Sequence, residues 1–134
     1  MSAPVILLVE DHVDTREMYV EVLKHAGFST VEATTAGDAL LTAVTVRPAL
    51  VITDLRLGAG LDGLELCEKL RKDPATKGIP MIVLTAYTGD QTLRARADAA
   101  GCAAVLLKPI GPEALLAVIR KVMQQPSDWT APVR

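Results

Sequence analysis

Five short apolar runs punctuate the chain, and between them the apolar residues recur at helical spacing. Val5–Val9 is apolar throughout and too short for a helix, so it reads as a strand. Asp14–Ala26 then carries Met18, Tyr19, Val22, Leu23 and Ala26 on one helical face, with Asp14 and Glu17 at capping-box spacing and Gly27 as a natural stop. Phe28–Ala33 reads as a second, more polar strand nearer a sheet edge. Thr35 and Asp38 repeat the capping spacing ahead of Ala39, Leu40, Ala43 and Val44, and Pro48 ends that helix. Leu50–Thr53 is the third strand. Asp62 and Glu65 cap a helix with Leu66, Cys67 and Leu70, which stops at Asp73–Pro74. Met81–Thr85 is the fourth strand, Gln91–Ala100 an alanine-rich helix backed by Gly101, and Ala103–Leu107 the fifth strand. Pro112 suits a first helical residue, and Leu115, Leu116, Ile119, Val122 and Met123 form the last stripe.

Strands that are apolar at every position are covered on both faces, so this alternation predicts an α/β domain with a five-stranded parallel sheet between helices. A doubly wound order of 2-1-3-4-5 would make strands one, three, four and five neighbours. The domain is expected over residues 1–125. Residues 126–134, "PSDWTAPVR", lack periodicity and read as a tail or the start of a linker; Trp129 lies there.

Composition narrows the function more than the fold. The chain has 134 residues, half of them apolar and 3% aromatic, so its core is aliphatic. The net charge of -2 is spread along the chain, which argues against direct nucleic-acid binding, since phosphate contact wants a basic stripe. No apolar run is long enough to span a membrane. The start "MSAPVILLVED" lacks the basic residues of a secretory signal. Cys67 and Cys102 have no metal or redox spacing and read as two reduced, buried thiols, in keeping with a cytoplasmic location.

The informative polar residues stand at the strands' C-terminal ends: Glu10–Asp11, Thr53–Asp54, Thr85 and Lys108–Pro109. In an open parallel sheet these ends share one edge, where ligands bind. Two carboxylates about 5 Å apart repel by roughly 3 kcal/mol at an effective dielectric near 20, so three together want a cation. Hard oxygen ligands with water access suit Mg²⁺. A divalent ion turns such a pocket into one that accepts a phosphoryl group, with Thr85 and Lys108 to meet its oxygens and Asp54 as the nucleophile.

The ordered set "LLVEDH", "VITDLRL…LDGLEL", "IPMIVLTAY" and "GCAAVLLKPI" resembles the receiver domain of bacterial two-component response regulators, from about Val5 to Met123. The resemblance implies a flavodoxin-like (βα)5 fold and a Mg²⁺-dependent conformational switch, with Mn²⁺ as a substitute. Asp54 matches the phospho-acceptor, Asp11 a direct metal ligand, and Glu10 an acid reaching the metal through water. Arg56 matches the position whose main-chain carbonyl completes the metal shell. Thr85 matches the switch hydroxyl, with the Ala86 amide beside it, and Lys108 the phosphoryl-binding lysine, joined to Pro109 by a cis bond. Two departures stand out. The loop "LRLGAGLDG" lacks the family's proline and is one residue longer, and Val105 replaces the aromatic residue that swings inward on activation. Tyr87 is an alternative cover for the site, against a plain solvent-facing loop tyrosine.

The resemblance further implies a histidine kinase or phosphotransfer protein upstream and an output protein or domain downstream, and it admits a homodimer. It implies a signalling module, not an enzyme acting on outside substrates, whose only catalysis is its own phosphorylation and dephosphorylation. The competing reading is a receiver-like scaffold that works without phosphate. A flavin carrier on the same architecture is disfavoured, because "EDHVD" after the first strand would repel phosphate. A haloacid-dehalogenase-like phosphatase lacks its DxD pair. His12 reads as a loop residue at the pocket rim or in solvent, and His25 as a favourable charge in the last turn of the first helix.

Overall fold

The computed structural model describes residues 3–58, 60–86 and 91–124. Along the chain run β1 (Val5–Val9), α1 (Val13–His25), β2 (Ser29–Ala33), α2 (Ala36–Val46), β3 (Leu50–Asp54), α3 (Gly63–Lys72), β4 (Met81–Thr85), α4 (Gln91–Ala100), β5 (Ala104–Leu107) and α5 (Pro112–Gln124). The five strands are all parallel, in the order β2-β1-β3-β4-β5, as the alternation predicts. Tyr87 and the whole expected tail at 126–134, Trp129 included, lie outside the described residues.

Strand periodicity sorts the core into two layers. Leu7, Val9, Val51, Met81, Val83 and Val105 face one way and pack with buried residues of α2, α3 and α4. Their neighbours Ile6, Leu8, Leu50, Ile52, Ile82, Leu84, Ala104 and Leu106 face α1 and α5. Because side chains alternate with a period of two, each continuous apolar run feeds both layers at once. β2 is the exception: with burial confined largely to Ala33, it sits at the sheet edge.

The helix ends follow local chemistry. Thr35 caps α2 by accepting from the Asp38 amide, and Asp62 with Glu65 forms a full capping box on α3. One expected cap is corrected. α1 is capped by His12, whose Nδ1 accepts from the Thr15 amide at 3.3 Å, and the helix starts at Val13, one residue before Asp14. A neutral imidazole nitrogen accepts an orphan amide much as a hydroxyl does, which leaves Asp14 inside the first turn. His12 is therefore a structural cap, with its ring exposed.

Gly63 is demanded by packing. A Cβ there would lie 2.4 Å from the Asp54 carbonyl oxygen, and the Gly63 amide donates to the Leu55 carbonyl at 2.8 Å. The loop after β3 thus folds tightly back on the residue that ends the strand.

Candidate functional site

The register decides what meets at the sheet's C-terminal edge. Val9 is opposite Thr53, Thr53 opposite Val83, and Thr85 opposite Leu107. Glu10, Asp54 and Lys108 continue the series that points toward α1 and α5, whereas Thr53 and Thr85 belong to the opposite series. A slip of one residue in any strand would send its charge to the wrong side.

The Lys108 ammonium lies 3.0 Å from Glu10 Oε1 and 3.1 Å from Asp54 Oδ1. Asp54 Oδ1 also accepts the Leu55 amide at 3.1 Å. Asp11 completes the acidic group, with one carboxylate oxygen from each of Glu10, Asp11 and Asp54 lying within 4.8 Å of the others. Glu10 is buried, Asp54 half-buried and Asp11 exposed, so the cluster opens to solvent on the Asp11 side. The mutual repulsion of the acids is met by Lys108.

Burial raises the Glu10 carboxyl above its ordinary value; the Lys108 hydrogen bond opposes this and the Asp54 charge adds to it. Burial works to lower Lys108, but its bonds to Glu10 and Asp54 outweigh that and hold the ammonium above the usual lysine range.

These donors suit a small divalent cation. An octahedron of oxygens at about 2.1 Å from Mg²⁺ has neighbouring ligands roughly 3 Å apart and opposite ones roughly 4.2 Å apart. The three carboxylates need only a small inward movement to reach that spacing. The loop after β3 approaches the cluster closely: a Cβ built on Gly58, where φ is +75°, would be 3.4 Å from Asp11 Oδ2. The loop that lost the proline therefore passes Asp11 at close range on a residue that accommodates left-handed backbone.

The other expected residues are placed as follows. Thr85 ends β4, is buried, and its carbonyl accepts the Lys108 amide at 2.8 Å. Ala86 follows it and is exposed. The Lys108–Pro109 bond is cis. Arg56 is exposed and lines a groove of about 530 Å³ together with Asp62, Leu93 and Arg96. Val105 is buried among residues of the α2–α4 layer.

Sequence reasoning missed three supports. Arg16 donates from Nη1 to the Glu10 carbonyl at 2.9 Å and pairs with Glu32 at 3.1 Å, tying the end of β1 to α1 and β2. Tyr19 was expected only as part of an apolar face, yet its buried hydroxyl lies within the field of Lys108, Glu10 and Asp54. Arg96 of α4 reaches the α3 cap Asp62 at 3.0 Å. The only sequence signal for any of these was a basic residue one turn into a helix.

A family model described as the response regulator receiver domain matches residues 6–120. The chain belongs to that family. It is 33% identical to the phosphate regulon transcriptional regulatory protein PhoB of Pseudomonas aeruginosa over 99% of this chain and 58% of that protein. It is 32% identical to the DNA-binding response regulator MtrA of Mycobacterium leprae over 94% of this chain and 54% of that one. The receiver thus spans about half the length of the curated relatives it matches. Among solved structures, Vibrio cholerae chemotaxis protein CheY4 superposes with a TM-score of 0.84 at 27% identity, covering 90% of this chain and 99% of that one. The non-phosphorylated HemR receiver domain of Leptospira biflexa gives 0.80 at 32% identity, covering 96% and 98%. The flavodoxin-like fold expected of the receiver is therefore the one observed. Among the described residues no helix is long and apolar enough to cross a membrane.

Proposed function

We propose that this receiver accepts a phosphoryl group on Asp54, with Mg²⁺ bound by Glu10, Asp11 and Asp54, and acts as a conformational signalling switch. The observation that carries the reading is the convergence of one lysine and three carboxylates at the sheet edge, within contact distances of 3.0 and 3.1 Å for the ammonium. A histidine kinase or phosphotransfer protein is the donor expected for a response regulator, and an output protein or domain its target.

In the transfer, an Asp54 oxygen bonds to phosphorus as the bond to the donor breaks, giving an acyl phosphate. A cation held by Glu10, Asp11 and Asp54 would neutralise charge on the phosphoryl oxygens. Lys108 is poised to exchange carboxylate partners for a phosphoryl oxygen, because its flexible stem carries a compact charge. Thr85, one strand over, offers the hydroxyl for another oxygen, with the Ala86 amide adjacent. The Arg56 main-chain carbonyl would complete the metal's oxygen shell. Hydrolysis of the acyl phosphate by water restores Asp54.

Val105, already packed in the core, has no ring to swing inward, so the switch rests on the Thr85 hydroxyl in place of a threonine–aromatic pair. The test is incubation with Mg²⁺ and a small acyl phosphate, read by intact mass. One added phosphoryl group, absent from Asp54→Asn and abolished by chelation, is expected. An unchanged mass in the parent, with Mg²⁺-binding intact, would favour a scaffold that works without phosphate.

A further inference from the structure

Cys67 and Cys102, far apart in sequence, meet inside the domain. Cys67 lies on the buried face of α3, and Cys102 in the turn between α4 and β5. Their sulfurs are 3.8 Å apart, and the Cys67 thiol donates to the Ala100 carbonyl at 3.1 Å. Among the described residues both are free thiols, and the proposed phosphoryl chemistry uses neither.

The surroundings differ from those of inert core cysteines. Arg71, one turn beyond Cys67 on α3, donates to the Gly101 carbonyl at 2.7 Å and also to the Lys77 carbonyl. Its guanidinium is thus held beside the residue preceding Cys102, and its charge favours thiolate at both cysteines. The hydrogen bond from Cys102 lowers the Cys67 thiol against the effect of burial, while that same bond and burial push Cys102 up. Arg71 thus favours Cys67 as the attacking sulfur, with Cys102 3.8 Å away to resolve it.

We propose that Cys67 and Cys102 are a peroxide-reactive dithiol that closes to an intramolecular disulfide tying α3 to the α4–β5 turn. The oxidant is hydrogen peroxide, small enough for a site that would exclude a bulky disulfide reagent. The Cys67 thiolate attacks one peroxide oxygen, breaking the O–O bond and leaving a sulfenic acid plus one water after proton uptake. The Cys102 sulfur then attacks the Cys67 sulfur, its proton leaving with the displaced hydroxyl as a second water. Both sulfurs are oxidised and both peroxide oxygens reduced. Closure needs a contraction of roughly 1.8 Å to reach the usual S–S length. Both cysteines are buried, at 0% and 2% exposure, so the peroxide reaches them through local opening of the turn at the exposed Gly101.

The inference goes beyond phosphoryl acceptance and stands whether or not Asp54 reacts. The experiment uses the unsubstituted chain, reduced, then treated with hydrogen peroxide at native pH and alkylated after denaturation. Loss of two hydrogens with no alkyl adduct, a peptide pair linking Cys67 to Cys102, and reversal by dithiothreitol are expected. The closed loop spans 35 positions, so oxidation should also raise Tm by about 10 °C. Cys67→Ser should leave Cys102 fully alkylated. Both thiols alkylated in the treated parent, under conditions that oxidise a free-thiol control, would overturn the proposal. So would sulfinic acid or intermolecular dimers as the main product.

Discussion

Replacing Lys108 by methionine keeps the aliphatic stem and deletes the charge that two carboxylates share. Glu10, 3% exposed, and Asp54, 17% exposed, then face each other without the ammonium now 3.0 and 3.1 Å away. Removing one partner of a fully buried pair costs about 3–5 kcal/mol; with Lys108 itself 21% exposed, solvent screening brings this to about 2 kcal/mol. At roughly 2 cal/mol/K of unfolding entropy per residue, a domain of this size should lose about 7 °C in Tm. Mg²⁺ changes the outcome, because in the parent the ion has to compete with the ammonium for Glu10 and Asp54, and in the variant it does not. If the release tightens Mg²⁺ roughly tenfold, saturating ion should return about 1.4 kcal/mol more to the variant than to the parent. Thermal melts of both proteins, with chelator and with saturating Mg²⁺, read this directly. A gap of about 7 °C that narrows to a few degrees is expected. A gap unaffected by Mg²⁺ would refute the idea that ammonium and cation compete for one set of oxygens.

Gly63→Ala puts a methyl 2.4 Å from the Asp54 carbonyl, so backbone has to move by about 1 Å; urea melts should show a loss of about 2–3 kcal/mol, with slower acyl-phosphate labelling because Asp54 is displaced. Asp62→Ala removes the α3 cap and the Arg96 partner together, and should cost about 1–2 kcal/mol, measured by chemical denaturation. The raised Glu10 carboxyl predicts that protons compete with metal above the ordinary glutamate range. Calorimetric Mg²⁺ affinity should be full at neutral pH and fall as pH drops through the raised value. Lys108 is held above its ordinary 10.5, so its stabilisation is fully present below that pH and disappears as pH rises through the folded value. The Tm difference between the parent and Lys108→Met should therefore close in strongly alkaline buffer.

Much of the molecule was legible from residue pattern because the signals are local. Apolar runs of four or five residues feeding two faces could only be strands covered on both sides, and Asp62 with Glu65 announced α3 by chemistry that acts over three residues. The misread cap shows the limit of the same logic. Asp14 had the right spacing for a cap, but the His12 imidazole reached the Thr15 amide first, and nothing in the spacing distinguishes the two.

The chain by itself determined which residues end each strand, and so which polar groups stand at the edge of the sheet. Only the tertiary structure decided which of them touch. Lys108 lies 98 positions from Glu10, and their meeting depends on the register of four strands and on side-chain alternation, neither of which is a local property. The same holds for Arg16 under the Glu10 carbonyl, and for two cysteines whose separation in sequence gave no hint of sulfurs 3.8 Å apart. Short-range chemistry is written in sequence order, whereas a site assembled across a sheet exists only once the strands have paired.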